Sequence, residues 1–223
     1  MCGRYVCPTR AEIERHWGAS DGAADPLEQR FDASPADGVR IVLLRTYGRV
    51  DIDSARWGLV PSWWKQATPP PFTFNTRMED AASKPMWRTA LKASRCLVPA
   101  IGWYEWKAVG ELDPDTGKSS RAKQPWFMHL PGKRLLHFAA LMSRHGRGDA
   151  AQISCSILTR AAEGPAADVN ERMPVVLPEE AHRDWLDRRF SDSEKSLALA
   201  EEKAIMLIEL EPVSLSATFP NPA

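Results

Sequence analysis

The chain has 223 residues, 43% of them hydrophobic and 26% charged, which is the composition of a globular protein with a sizeable core. No stretch is long and apolar enough to cross a bilayer as a helix, and Met1-Cys2-Gly3-Arg4-Tyr5 carries no signal-like apolar run, so a cytoplasmic location is expected. Lys plus Arg (29) equals Asp plus Glu (29), so a nucleic-acid ligand would have to be held by a local patch rather than by overall charge.

In chain order, Thr9 to Glu12 reads as a capping box opening a helix to about Trp17. Residues 40–46 and 50–57 read as two strands of a hairpin around Tyr47-Gly48. Gln66 to Pro71 is a proline-rich loop. Ser83 is the expected cap of a helix with Pro85 in its first turn, running to about Ser94. Its Lys84, Arg88 and Lys92 recur every four residues and share a face, a solvated stripe or an extension of an anion track. Further strands are expected near 96–99, 103–107, 126–130, 135–141, 152–158, 174–177 and 206–210, with a long polar segment at 108–124. Helices are expected near 179–188 and 194–203, the second opened by a capping box at Ser191-Asp192-Ser193-Glu194. Strands outnumber helices and do not alternate with them. The fold class is therefore α+β with a mixed, largely antiparallel sheet, and the absence of a linker makes residues 1–223 a single domain.

Cys2 is the most reactive candidate. Once Met1 is trimmed, it carries an α-amine of pKa roughly 7.7–8.0 beside a thiol of roughly 8.5. The amine can condense with an aldehyde, and the thiol can then close a five-membered thiazolidine. Taken alone, a cysteine at this position is more often idle. Cys7, Cys96 and Cys155 form no zinc-like pairs with it, and all four read as free thiols. Glu105 sits in an expected strand whose alternation sets Trp103 on its own face and Tyr104 and Trp106 on the other. A carboxyl group in partly apolar surroundings is raised in pKa and can exchange protons near neutrality; the bland alternative is a solvated strand face. Asn75 offers both donor and acceptor, or simply makes a turn. Arg4 and Arg77 suit phosphate, or serve as salt bridges. Trp63 and Trp64 suit stacking on an unpaired base, or fill core at a strand end.

Six blocks occur in order: Met1-Cys2-Gly3-Arg4; Arg56-Trp57-Gly58-Leu59-Val60-Pro61; Asn75-Thr76-Arg77-Met78-Glu79; Arg95-Cys96-Leu97-Val98-Pro99-Ala100; Gly102-Trp103-Tyr104-Glu105-Trp106; and Arg172-Met173-Pro174. Together they resemble the SOS-response-associated peptidase family, from Cys2 to about Trp185. The resemblance implies a barrel-like sheet flanked by short helices. It also implies covalent capture of abasic sites in single-stranded DNA through Cys2, as a thiazolidine crosslink, with self-removal of residues before the cysteine (peptidase, and possible lyase, chemistry). It gives Glu105 an acid–base role, sets Asn75 beside the cysteine, and has Arg4 and Arg77 hold the DNA backbone. It implies no metal and no organic cofactor. The expected state is a monomer, nucleoid-associated when bound to DNA.

One position departs from the family. A histidine normally stands two residues before Arg-Met-Pro, and here that position is Asn170, which can hydrogen bond but cannot exchange a proton near pH 7. His129 and His137 fall in expected strands, where packed histidines are the rule, so no histidine is assigned to catalysis. Three other readings stay open: a non-covalent single-strand or lesion sensor, an N-terminal-cysteine amidohydrolase, and an inert structural protein.

Overall fold

The computed structural model describes residues 3–18, 32–44, 49–109, 123–146, 148, 151–189 and 191–214. The chain opens with strand β1 (Tyr5–Val6) and helix α1 (Arg10–Trp17), followed by β2 (Gly38–Leu44), β3 (Val50–Trp57) and β4 (Asn75–Arg77). Helices α2 (Met78–Ala81) and α3 (Pro85–Ala93) lead into β5 (Arg95–Ala100), β6 (Gly102–Ala108) and β7 (Lys123–His129). The long strands β8 (Leu136–His145) and β9 (Gln152–Ala161) precede β10 (Arg172–Pro174) and β11 (Val176–Leu177). Helices α4 (Glu179–Leu186) and α5 (Ser193–Lys203) and strand β12 (Glu209–Pro212) complete the described order.

Strands β9, β3, β2, β5 and β8 pair in that order, and β8 pairs back to β9, which closes a five-stranded barrel. Only the β3–β9 contact within it is parallel, so the barrel is mixed but mainly antiparallel. Alternation sorts the side chains cleanly. Val39, Ile41, Trp57, Val98, Phe138 and Ile157 fill the interior. Val42, Ile52, Leu97, Leu141 and Leu158 face outward, against Trp87 and Leu91 of α3 and Trp185 of α4. That outer cover leaves no exposed face on β5, which is buried along its whole length.

A second sheet, β1-β6-β7-β12, lies across the barrel. Tyr5, Trp103 and Met128 join the barrel core, while Val6, Tyr104 and Phe127 form a small cluster on the other face. Tyr5 meets Trp57 edge-on at 5.2 Å, and Trp103 meets Phe138 at 5.8 Å, the T-shaped packing that ring quadrupoles favour. Gly102 makes the entry to β6 possible: a Cβ there would lie 2.5 Å from both the Met128 carbonyl oxygen and the Phe127 ring. Gly58 ends β3 at φ +136°, a region open in practice to glycine alone, while its N–H donates to the Cys155 carbonyl at 2.8 Å.

The α+β expectation holds. The Thr9–Glu12 capping box is present in both directions. Four local expectations need correction. The cap of α3 is Lys84 rather than Ser83, whose hydroxyl instead bonds the Asp80 carbonyl. The cap of α5 is Asp192, which accepts from the Glu194 and Lys195 amides, rather than Ser191. Residues 174–177 are not one strand: β10 lies on β9 and β11 on β8, with Val175 bonded to both at the crossover. Residues 75–77, without an expected strand, form β4, parallel to β9. Tyr47-Gly48 and residues 110–122 of the polar segment lie outside the described residues.

Candidate active site

Glu105 is only 3% exposed, on the same face of β6 as Trp103, as alternation requires. Burial raises its pKa to about 7, opposed in part by a hydrogen bond from Asn170. A carboxyl group poised there changes protonation state within the neutral range, the condition general acid–base catalysis favours.

Asn170 approaches from the turn before β10. Its Nδ2 donates to Glu105 Oε2 at 2.8 Å, and its Oδ1 accepts from the Arg172 amide at 3.1 Å. The second bond fixes which end of the amide faces the carboxylate. Arg172 is anchored in turn by a bidentate pair with Glu79 (2.6 and 3.0 Å) and by the Thr159 carbonyl at 2.8 Å. The pair with Arg172 also holds the Glu79 carboxyl below its ordinary pKa. This ties the Asn75–Glu79 block to the Arg172–Pro174 block. Both blocks stand out in the sequence, yet local pattern gives neither Glu79 nor Arg172 a role, because the contact spans 93 residues.

Asn75 is 9% exposed on β4, opposite Ile157. Thr159 of β9 pairs with Arg77 on one edge and Pro174 on the other, so β4 and β10 flank the same stretch of β9. Arg77 is exposed at the end of β4. Arg4 is half-buried, with its guanidinium 3.7 Å from Asp32. Trp63 is 50% exposed beside Met86 and Arg144. Trp64 is half-buried, its indole N–H bonded to the Thr68 carbonyl and its ring centroid 6.0 Å from that of Trp63. Phe72, on the same loop, is a surface aromatic that the sequence does not single out. It is 82% exposed and holds φ +55°, an uncommon conformation for an aromatic residue. Lys84, Arg88 and Lys92 are all exposed, and Lys84 is paired to Asp80 at 2.7 Å.

Cys7, Cys96 and Cys155 are buried. Burial raises Cys96 well above its ordinary range and Cys155 to about 12, so neither supplies thiolate at neutral pH. Cys2 lies outside the described residues. His129 and His137 are packed, at 2% and 1% exposure, as expected for strand histidines. His145 bonds the Pro61 carbonyl through Nδ1 at 3.2 Å. Among the described residues, the only cluster of metal-ligating type is His16, His137 and His182, which does not include Glu105.

The family described as "SOS response associated peptidase (SRAP)" matches residues 1–217. The abasic site processing protein YedK of Escherichia coli is 31% identical over 203 residues, covering 88% of this chain and 84% of that protein. The abasic site processing protein YoqW of Bacillus subtilis is 28% identical over 195 residues, covering 86% and 83%. A crystal structure of a protein from Bacteroides thetaiotaomicron superposes with a TM-score of 0.78 at 18% identity, over 96% of this chain and 93% of that one, a likeness of fold. With the ordered motifs, the closed barrel and a family match along nearly its whole length, the chain belongs to the SOS response associated peptidase family.

Proposed function

We propose that this protein captures abasic sites in single-stranded DNA covalently through Cys2. The observation that carries the reading is a strand register. Tyr5 pairs with Trp103 and the Tyr104 amide donates to the Arg4 carbonyl, so the start of the chain runs antiparallel along β6 towards Glu105. That direction leads to a carboxyl group with a pKa of about 7. The other cysteines, buried in the core, are poor nucleophiles.

The chemistry balances without a cofactor. The ring-opened abasic deoxyribose presents an aldehyde. The Cys2 amine adds to it, and the carbinolamine loses water to give an imine. The thiolate then adds to the imine carbon while the nitrogen takes a proton, closing a thiazolidine. Glu105 serves as acid for ring opening and water loss, and as base for the amine. Asn170 orients Glu105 but relays no proton. Removal of Met1 must come first, because an acylated amine forms no imine; ordinary methionine trimming or self-cleavage would supply it.

Arg77 holds a phosphate beside the lesion, and Trp63 and Phe72 offer ring faces to unpaired bases. Arg77→Ala is expected to weaken single-strand binding for all sequences, reducing the slope of log K against log salt by about 1. Arg4→Ala is expected to do less, because Asp32 already competes for its guanidinium. Salt-dependent anisotropy titration checks both, and an unchanged slope for Arg77→Ala makes that residue structural.

The deciding experiment is intact mass before and after incubation with a single-stranded oligonucleotide carrying one abasic site. Cys2→Ala and an undamaged oligonucleotide are the controls. A heat-stable, Cys2-dependent adduct is expected. Binding without an adduct, in protein shown by mass to lack Met1, would instead support a non-covalent lesion sensor. Asn170 in place of a proton-exchanging histidine is the observation that favours that second reading.

A further inference from the structure

The outer face of the barrel carries a second set of chemistry-bearing side chains, unrelated to Glu105. His16 on α1, His137 on β8 and His182 on α4 converge so that one ligating atom from each lies within 4.8 Å of the others. Their ring centroids are 4.4 Å apart for His137–His182 and 4.9 Å for His16–His137. His137 faces outward because β8 alternates: Leu136 and Phe138 belong to the barrel interior, Ala139 and Leu141 to the outer layer. The cluster and Glu105 therefore lie on opposite sides of the barrel wall.

We propose that His16, His137 and His182 form a binding site for a divalent transition ion of the zinc class. Three imidazoles from three different elements are the donor set such ions prefer, and one that Mg²⁺ or Ca²⁺ does not. His182 is already oriented to ligate, because its Nε2 hydrogen bonds to the Leu177 carbonyl at 3.0 Å, which leaves Nδ1 as the lone pair. Metal-bound histidines characteristically carry such a second bond.

Two adjustments are required. Bonds of about 2.0–2.1 Å in a tetrahedron set neighbouring nitrogens roughly 3.4 Å apart, so nitrogens as far apart as 4.8 Å must close by up to about 1.4 Å. His16 is the least buried of the three and sits on a two-turn helix. His137 Nε2 now accepts from the Trp17 indole N–H at 3.0 Å, and the ion takes that lone pair in its place. The fourth position opens towards Glu179, whose carboxylate lies 3.8 Å from His16 Nδ1 and is mostly exposed. Glu179 and His182 are three residues apart on α4, hence on one face of the helix. The bound ion would pin α1 and α4 to the outer wall of β8.

The test is titration of the tag-free full-length chain with Co²⁺ and Zn²⁺, in a Cys2→Ser background that removes any thiol–amine chelate at the start of the chain. One equivalent of Co²⁺ is expected to give the visible bands of a four-coordinate ion without a sulfur-to-cobalt charge-transfer band. Zn²⁺ is expected to displace it and to raise the melting temperature. His16→Ala is expected to keep the fold, judged by circular dichroism, and to weaken binding by about 100-fold through loss of one of three ligands. No binding at micromolar ion, a charge-transfer band from cysteine sulfur, or equal affinity in His16→Ala would each overturn the proposal. None of these outcomes depends on DNA crosslinking.

Discussion

Glu105→Gln is expected to slow adduct formation by about 10²–10⁴-fold, the usual contribution of a positioned acid–base group, while making the fold more stable above pH 7. Both effects follow from one cause. Burial raises the carboxyl pKa from 4.5 to about 7. The native state therefore holds a proton that the unfolded chain releases between those two values. The stability this group contributes is fully present below pH 4.5 and is lost as pH rises through 7. The displacement corresponds to roughly 3 kcal/mol at pH 8, an order-of-magnitude figure. Glutamine keeps the shape and can still accept from Asn170, but it never ionises, so it escapes the loss. Urea melts at pH 4, 6 and 8 should show the variant and the wild type converging at the acid end and diverging at the alkaline end. Crosslinking rates over the same range should bend near pH 7 in the wild type and not in the variant. A variant no more stable than wild type at pH 8 would show that ionising Glu105 costs the fold nothing. An unchanged crosslinking rate would remove it from the chemistry. A variant that is stabilised and yet inactive is what distinguishes a strained functional carboxyl group from a structural one.

How much of this was legible in the sequence depends on range. Period-2 alternation in Gly102–Trp106 was enough to give Glu105 and Trp103 a common face, because pleating fixes that locally. The Thr9–Glu12 cap was legible for the same reason, since its two bonds close within four residues. Between the two plausible caps in Ser191-Asp192, local pattern could not choose. The longer-range ties were beyond periodicity. Asn170 reaches Glu105 across 65 residues, and Arg172 reaches Glu79 across 93. Strand β4 is three residues long and exists because β9 runs past the end of β3 and offers a free edge there, a fact of tertiary structure. His16, His137 and His182 were each visible, but no spacing rule links a helix near the start of the chain to a strand and a helix more than a hundred residues on. The family resemblance supplied what local rules could not: which residues, Asn75 and Arg77 among them, to regard as a site.

Arg95→Met is expected to be the most destabilising of these substitutions, costing about 3–5 kcal/mol. Arg95 opens β5 and is 3% exposed, with its side chain on the outer face of the barrel. Its guanidinium donates to four backbone carbonyls: Leu91 at 2.6 Å and Lys92 at 3.3 Å in the last turn of α3, Trp185 at 2.7 Å near the end of α4, and Asp187 at 2.6 Å just beyond it. The last carbonyls of a helix have no partner within the helix, and here one cation satisfies those of two helices at once. The guanidinium carbon also lies 5.7 Å from the centroid of the Trp185 ring. Methionine fills much of the volume but leaves the carbonyls of Leu91, Trp185 and Asp187 desolvated and unbonded. Lysine restores a charge but not the planar fork, so Arg95→Lys should recover less than half of the loss. Urea denaturation of the three proteins measures this directly. A loss below about 1 kcal/mol for Arg95→Met would mean that water reaches those carbonyls and that α3 and α4 are held to the barrel by apolar packing alone. Because the clamp faces away from Glu105, the folded fraction of Arg95→Met should crosslink at the wild-type rate. A rate that falls while the protein remains folded would show that the outer helices set the geometry of the site through β5.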